Sequence, residues 1–308
     1  MAEADGARDG LVVASHGRHC LVETGQGQRV RCHAKGKKNE AVVGDRVLWR
    51  PTGDEGVVAG VQERRNLFYR RDEIRTKSFA ANLDQVLVLV AAEPEFSEMQ
   101  LARALIAAEA QHIAPLIALN KSDLVESFER AWARLLPYQH MRYGVLPLSL
   151  RLSRDTDRAH LLRHLEGRTT LVLGPSGAGK STLINLLVPQ AQALTGEISQ
   201  ALNSGKHTTT ATTWYWVDGE RRTALIDSPG FQEFGLHHIE PMQLAALMPD
   251  LKPHVAACKF YNCTHMHEPG CGVRAAVAAQ PGAPAAQVEP SRYRIYRTLF
   301  EELSQPRY

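Results

Sequence analysis

The order of three short boxes limits what this chain can fold into. Asn120-Lys121-Ser122-Asp123 comes first, Gly174-Pro175-Ser176-Gly177-Ala178-Gly179-Lys180-Ser181 second, and Asp227-Ser228-Pro229-Gly230 third. The second is a glycine-rich pattern ending in Lys-Ser, whose backbone N–H groups wrap phosphates. The first reads as the guanine-selecting NKxD box and the third as the DxxG box that senses a γ-phosphate. A GTPase ordinarily runs phosphate loop, DxxG, NKxD. One site can be assembled from the order found here only if the domain is circularly permuted.

The segments leading into the boxes support that site. Val86-Leu87-Val88-Leu89-Val90-Ala91 is a continuous apolar run of buried parallel-strand type. Pro115 to Leu119 runs straight into the NKxD box, Thr169 to Leu173 into the phosphate loop, and Thr223 to Ile226 into Asp227. Helices are expected from Ser97 to Gln111 and onward from Thr182 to Leu187. All three boxes then lie at the C-terminal ends of parallel strands, where open α/β sheets bind ligands.

The chemistry assigns each residue a task. Lys180 reaches the β- and γ-phosphates, and Ser181 offers its hydroxyl to Mg²⁺; Thr182 follows in the helix whose N-terminus faces the anion. Asp123 accepts from the N1–H and amino group of guanine, which adenine lacks there, so an ATP-using enzyme is disfavoured. Asn120 binds the opposite edge of the base, and the stem of Lys121 covers its face. Ser149, after the next strand, is the candidate for the remaining base contact. Asp227 acts on Mg²⁺ through water, and Gly230 senses the γ-phosphate. Phe231 stands where Ras-like proteins bring a water-orienting glutamine. His207, in Gly205-Lys206-His207-Thr208-Thr209-Thr210, and Gln232 are the candidates for that role. One of Thr208, Thr209 and Thr210 is expected to bind Mg²⁺.

On either side of this region the pattern changes. Before it, short apolar segments separated by glycines, between about residues 10 and 62, suggest a small barrel of roughly five strands. Two basic stretches accompany it: Arg29, Arg31, Lys35, Lys37 and Lys38, then Arg64, Arg65, Arg70, Arg71, Arg75 and Lys77. Each reads as a solvated face or, beside an OB-like barrel, as an RNA contact. After it, Cys258, Cys263, His265 and Cys271 make a Cys₃His set suited to structural Zn²⁺, with His267 competing for the imidazole position. A helix is expected near Ser291 to Leu303. Net charge is only +3, so bulk charge does not by itself argue for nucleic acid. The acidic N-terminus has no apolar core of a signal peptide, and no apolar run is long enough for a bilayer, which gives a cytoplasmic expectation.

Taken together, these residues resemble ribosome small subunit-dependent GTPase A, a family of circularly permuted bacterial GTPases. Ala80-Ala81-Asn82-Leu83-Asp84-Gln85, the NKSD box, the run from Gly174 to Thr182, GKHTTT at 205–210, DSPG and the Cys/His spacing carry the likeness. It implies a multidomain chain: an all-β OB-fold RNA-binding barrel at 10–64, a permuted α/β G domain at 65–235 and a zinc-binding, mostly helical domain at 236–308; the acidic extension at 1–9 matches nothing in the family and is expected to be disordered. The likeness favours His265 over His267 as ligand. It also implies binding to the 30S subunit and its 16S rRNA, subunit-stimulated hydrolysis of GTP to GDP, a role in late maturation, and a monomer. A switch acting on a non-ribosomal protein is the alternative. The order of boxes suggests that the DxxG segment pulls directly on the C-terminal module, and that the barrel enters beside the guanine-side half.

Overall fold

A computed structural model describes residues 6–34, 40–201, 212–228, 231, 234–277 and 287–305. The first five strands, β1 (Arg8–His16), β2 (His19–Glu23), β3 (Arg29–Ala34), β4 (Arg46–Thr52) and β5 (Glu55–Val61), form a ring. β1 pairs with β2, β2 with β3, β3 with β5 in parallel, β5 with β4, and β4 back with β1. Closure leaves no free edge within the barrel itself. Alternation sends Val12, Cys20, Val22, Cys32, Val47, Trp49 and Val58 inward to a core of their own. Gly56 is required there: a Cβ would come within 2.6 Å of Cys32 Sγ and 2.7 Å of the Trp49 ring.

A hairpin follows, β6 (Leu67–Arg71) and β7 (Thr76–Ala81), which the sequence pattern does not announce. Part of the second basic stretch is consumed in holding it and the barrel together. Arg64 forks onto the fully buried Asp45 at 2.7 and 2.8 Å, and Arg65 pairs with Asp84 at 2.9 Å.

The α/β region comprises β8 (Gln85–Ala91), α1 (Glu98–Ala110), β9 (Ala114–Asn120), α2 (Val125–His140), β10 (Gly144–Pro147), α3 (Arg154–Leu165), β11 (Thr169–Leu173), α4 (Lys180–Leu187), α5 (Ala191–Ala201), β12 (Thr212–Trp216) and β13 (Ala224–Asp227). Strands β10, β9, β8, β11 and β13 are parallel neighbours in that order, as the boxes require. α1 is capped by the Ser97 hydroxyl, which accepts from Gln100 N at 3.3 Å. One apolar face of the sheet packs on α1 and α2, the other on α3 and α4.

One expectation drawn from the order of boxes is corrected here. β12 runs antiparallel to β13 and also pairs with β1, so a single sheet passes from the G domain into the barrel. The barrel therefore adjoins β12, at the opposite side of the sheet from the guanine-side strands β9 and β10. The segment after Asp227 is also held by the hairpin on its way into the C-terminal module. Phe234 packs with Phe68 and Phe79 of the hairpin and Phe231 packs on Phe234, while Arg71 N donates to Gly235 O at 3.1 Å. A Cβ on Gly235 would lie 2.3 Å from Asp72 Oδ1 and 2.5 Å from Arg71 O, which is why glycine is needed there.

Beyond this point come a 3₁₀ turn at Pro241–Leu247 and the helices α6 (Lys252–Val255), α7 (Gly272–Val277) and α8 (Pro290–Leu303). Their apolar side chains join the cluster under α1 and α2 and form no separate core. Among the described residues, no helix is long and apolar enough to cross a membrane.

Candidate nucleotide and metal sites

At the C-terminal edge of the parallel strands, the boxes lock onto one another. Asn120 ends β9; its amide donates to Ala178 O at 2.9 Å, and its carbonyl oxygen accepts from Leu150 N at 3.2 Å. One side chain thus ties the guanine box to the phosphate loop and to the loop after β10. The approach is so close that a Cβ on Gly179 would sit 2.4 Å from Asn120 Nδ2. Gly179 also has φ +102°, which L side chains rarely adopt, so glycine there is doubly required. Gly174 faces the β8 backbone in the same way, 2.6 Å from Leu89 O to an added Cβ.

Ser149 Oγ donates to Asp123 Oδ1 at 2.7 Å, which places this serine beside the carboxylate of the NKxD box. Ser122 N donates to Leu148 O at 3.0 Å and keeps the two loops in register. Lys121, at φ +70°, turns its ammonium to the Glu93 carbonyl. Asp157 of α3 was not visible as a site residue from sequence. Its carboxylate accepts from Ser149 N at 2.6 Å and fixes the loop that orients Asp123. Burial pushes the Asp157 carboxyl above the usual range, opposed by that Ser149 N–H and by His160.

The phosphate loop faces its DxxG partner through an ion pair between Lys180 and Asp227, the latter 8% exposed. Pro175 is half-buried, Ala178 is buried, and Ser176, Gly177, Ser181 and Thr182 are open to solvent around the loop. An ammonium, a hydroxyl and a carboxylate thus converge at the N-terminus of α4, a donor set suited to a phosphate–Mg²⁺ group. His207, Thr208, Thr209, Thr210, Gly230 and Gln232 lie outside the described residues, as do Lys35, Lys37 and Lys38.

In the C-terminal module, Cys258, Cys263, His265 and Cys271 bring one ligand atom each within 4.8 Å of one another. His265 Nδ1 is 3.4 Å from both Cys258 Sγ and Cys271 Sγ, and those sulfurs are 3.9 Å apart. Zn–S bonds in a tetrahedron would separate sulfurs by about 3.8 Å, so the set fits that ion. His267 is exposed and outside the cluster. Burial pushes the Cys263 thiol up to about 12, and Cys271 and Cys258 add to this, so a cation is what would make thiolates tolerable together.

Sequence spacing did not reveal what holds these ligands. Glu268 accepts from the backbone N–H of Thr264 at 2.9 Å and of Met266 and His267 at 3.2 Å. Burial opposes its charge, but hydrogen bonds from Thr264 and His267 win and hold its carboxyl well below the usual range. Tyr293 and Tyr296 of α8 donate to His265 O at 2.6 Å and Thr264 O at 2.8 Å. The metal loop is therefore fastened to the C-terminal helix.

The comparisons agree with this arrangement. A family model described as RsgA GTPase matches residues 61–237. The chain is 72% identical over 300 residues to the small ribosomal subunit biogenesis GTPase RsgA of Variovorax paradoxus, spanning 97% of this chain and 94% of that protein. A protein of the same name from Paraburkholderia phytofirmans is 49% identical over 96% of this chain and 93% of its own length. Among solved structures, YjeQ from Thermotoga maritima superposes with a TM-score of 0.72 at 28% identity, covering 98% of this chain and all of that one. YloQ, a circularly permuted GTPase, gives 0.70 at 25% identity over the whole chain and 99% of its own.

Proposed function

The chain belongs to the RsgA GTPase family, and from that premise we propose that it hydrolyses GTP as a switch in biogenesis of the small ribosomal subunit. The observation that carries this is the coupling of three boxes at one sheet edge, Asn120 to Ala178, Ser149 to Asp123 and Lys180 to Asp227.

In this reading Asp123 and Asn120 hold the two edges of guanine, with Lys121 over its face and Ser149 steadying Asp123. The backbone of Gly174 to Gly179 and the Lys180 ammonium cradle the phosphates. Ser181 and, through water, Asp227 hold Mg²⁺ with one of Thr208, Thr209 and Thr210; that ion neutralises phosphate charge when bound. Gly230 reads the γ-phosphate. His207 orients the attacking water, since the buried Phe231 has no polar group to offer. Cys258, Cys263, His265 and Cys271 hold one structural Zn²⁺.

The barrel at 10–64 and the module at 236–308 flank the G domain at 65–235 and provide two surfaces for a ribosomal particle. The partner is the 30S subunit through its 16S rRNA, bound by a cytoplasmic monomer. Co-sedimentation with purified 30S, 50S and 70S particles over a salt series tests this. Binding to 30S that weakens steeply with salt is expected for phosphate contacts. Equal retention on 50S, or none on 30S, would rule the reading out.

A further inference from the structure

Glu23, at the end of β2, is only 5% exposed, and most of its partners lie outside the barrel. Trp216 Nε1 of β12 donates to Oε1 at 2.8 Å, and Arg221 of the β12–β13 turn pairs with the same oxygen at 3.5 Å. Within the barrel it has Arg29, at 3.1 Å on Oε2. A carboxylate taken out of water needs such partners, and here two of three come from the G domain. Close packing marks the same contact: a Cβ on Gly27 would fall 2.0 Å from Arg221 Nη2. Two backbone pairs, Ala14 with Thr213 and Ser15 with Thr212, complete the join.

The strand so clamped is no ordinary edge. Along β12 and β13, Thr213 stands opposite Asp227, Trp214 opposite Ile226 and Tyr215 opposite Leu225. Asp227 in turn pairs with Lys180 of the phosphate loop. Two hydrogen-bonded ladders thus connect the barrel at β1 with the DxxG carboxylate. We propose that Glu23 is a positioning residue for GTP hydrolysis: it fastens the barrel to β12 and so sets the place of Asp227 beside the phosphate loop. The proposal rests on the ribosomal reading in one respect, that the barrel meets the particle that stimulates turnover.

The barrel has a second attachment, Ala81 N to Val43 O at 2.9 Å and Asn82 Nδ2 to Gly44 O at 2.9 Å, which keeps it docked when Glu23 is replaced. The test compares wild type, Glu23→Ala, Glu23→Gln, Trp216→Phe and the Glu23→Ala/Trp216→Phe double variant in steady-state GTP hydrolysis, with and without saturating 30S subunits. Trp216→Phe should lower stimulated kcat about tenfold, the factor one charge-assisted hydrogen bond represents, and Glu23→Ala, which also removes the Arg221 and Arg29 contacts, at least as much. The KM for GTP should not move. The double variant should be no worse than Glu23→Ala, because that substitution already removes the Trp216 bond. Glu23→Gln, whose carbonyl oxygen still accepts from Trp216, should recover most of the rate.

Wild-type stimulated kcat in both single variants, effects that multiply in the double, or a KM change without a kcat change would overturn the proposal. If the subunit fails to stimulate even the wild type, the ribosomal reading fails instead. Positioning is then decided on unstimulated kcat, where a comparable loss in Glu23→Ala and Trp216→Phe supports it and an unchanged rate overturns it.

Discussion

In the function proposed above, guanine selection rests on the single carboxylate of Asp123, to which the Ser149 hydroxyl donates at 2.7 Å. Replacing it with Asn puts an amide donor where guanine also presents donors. Asp123→Asn should weaken GTP binding about a hundredfold or more and admit XTP, whose ring offers an oxygen in place of the amino group. Competition binding with the two nucleotides checks this, and an unchanged preference for GTP would remove Asp123 from the base site. At the other end of the nucleotide, His207→Ala should keep GTP affinity while losing about a hundredfold in stimulated kcat, a magnitude usual for one proton-handling or water-orienting group. Undiminished turnover would transfer that role to another residue, Gln232 being the next candidate. Much of this was legible in the residues themselves, because phosphate loops and guanine boxes need particular backbones and functional groups at fixed spacing. Asp157 was not: it serves the site only by accepting a backbone N–H from Ser149, which no motif records.

Helix α8 shows how an element acquires its place. Its Arg292, 3% exposed, forks onto Asp250 at 2.9 and 3.4 Å, donates to the Tyr138 hydroxyl of α2 at 3.3 Å, and lies over the Tyr138 ring. Arg103 of α1 forks onto Glu302 near the other end of α8 and also donates to Phe234 O at 3.3 Å. A helix expected near Ser291 to Leu303 is found at Pro290–Leu303, but its polar anchors are hidden from any local pattern. Removing one member of a buried pair leaves the other desolvated, so Asp250→Ala should cost about 3–5 kcal/mol. Denaturant unfolding of the variant checks it, and a loss below about 1 kcal/mol would mean that water reaches Arg292.

For the molecule as a whole, the Cys₃His set ties the 258–271 loop of the C-terminal module together beside the shared core under α1 and α2. Stripping the metal with a chelator should release about one zinc per chain, as expected of a closed four-ligand site. It should also expose the 258–271 loop to protease while leaving GTP binding intact, since no box of the nucleotide site lies in that module. Metal analysis with limited proteolysis reads both, and loss of GTP affinity on chelation would show that the module supports the G domain directly. The sequence by itself determined the permuted order of boxes, the strand that presents each one and the three cysteines of the metal cluster, because each depends on residue type at short spacing. Between His265 and His267 the spacing left a choice, and the fold brings His265 to the cysteines. Only the tertiary structure decided which edge of the sheet the barrel joins and where the DxxG segment goes next. Backbone ladders such as β1 on β12 are made by groups every residue carries, and the clamp from Glu23 to Trp216 joins side chains 193 positions apart. Such contacts are chosen by how whole elements pack, which no short stretch of sequence encodes.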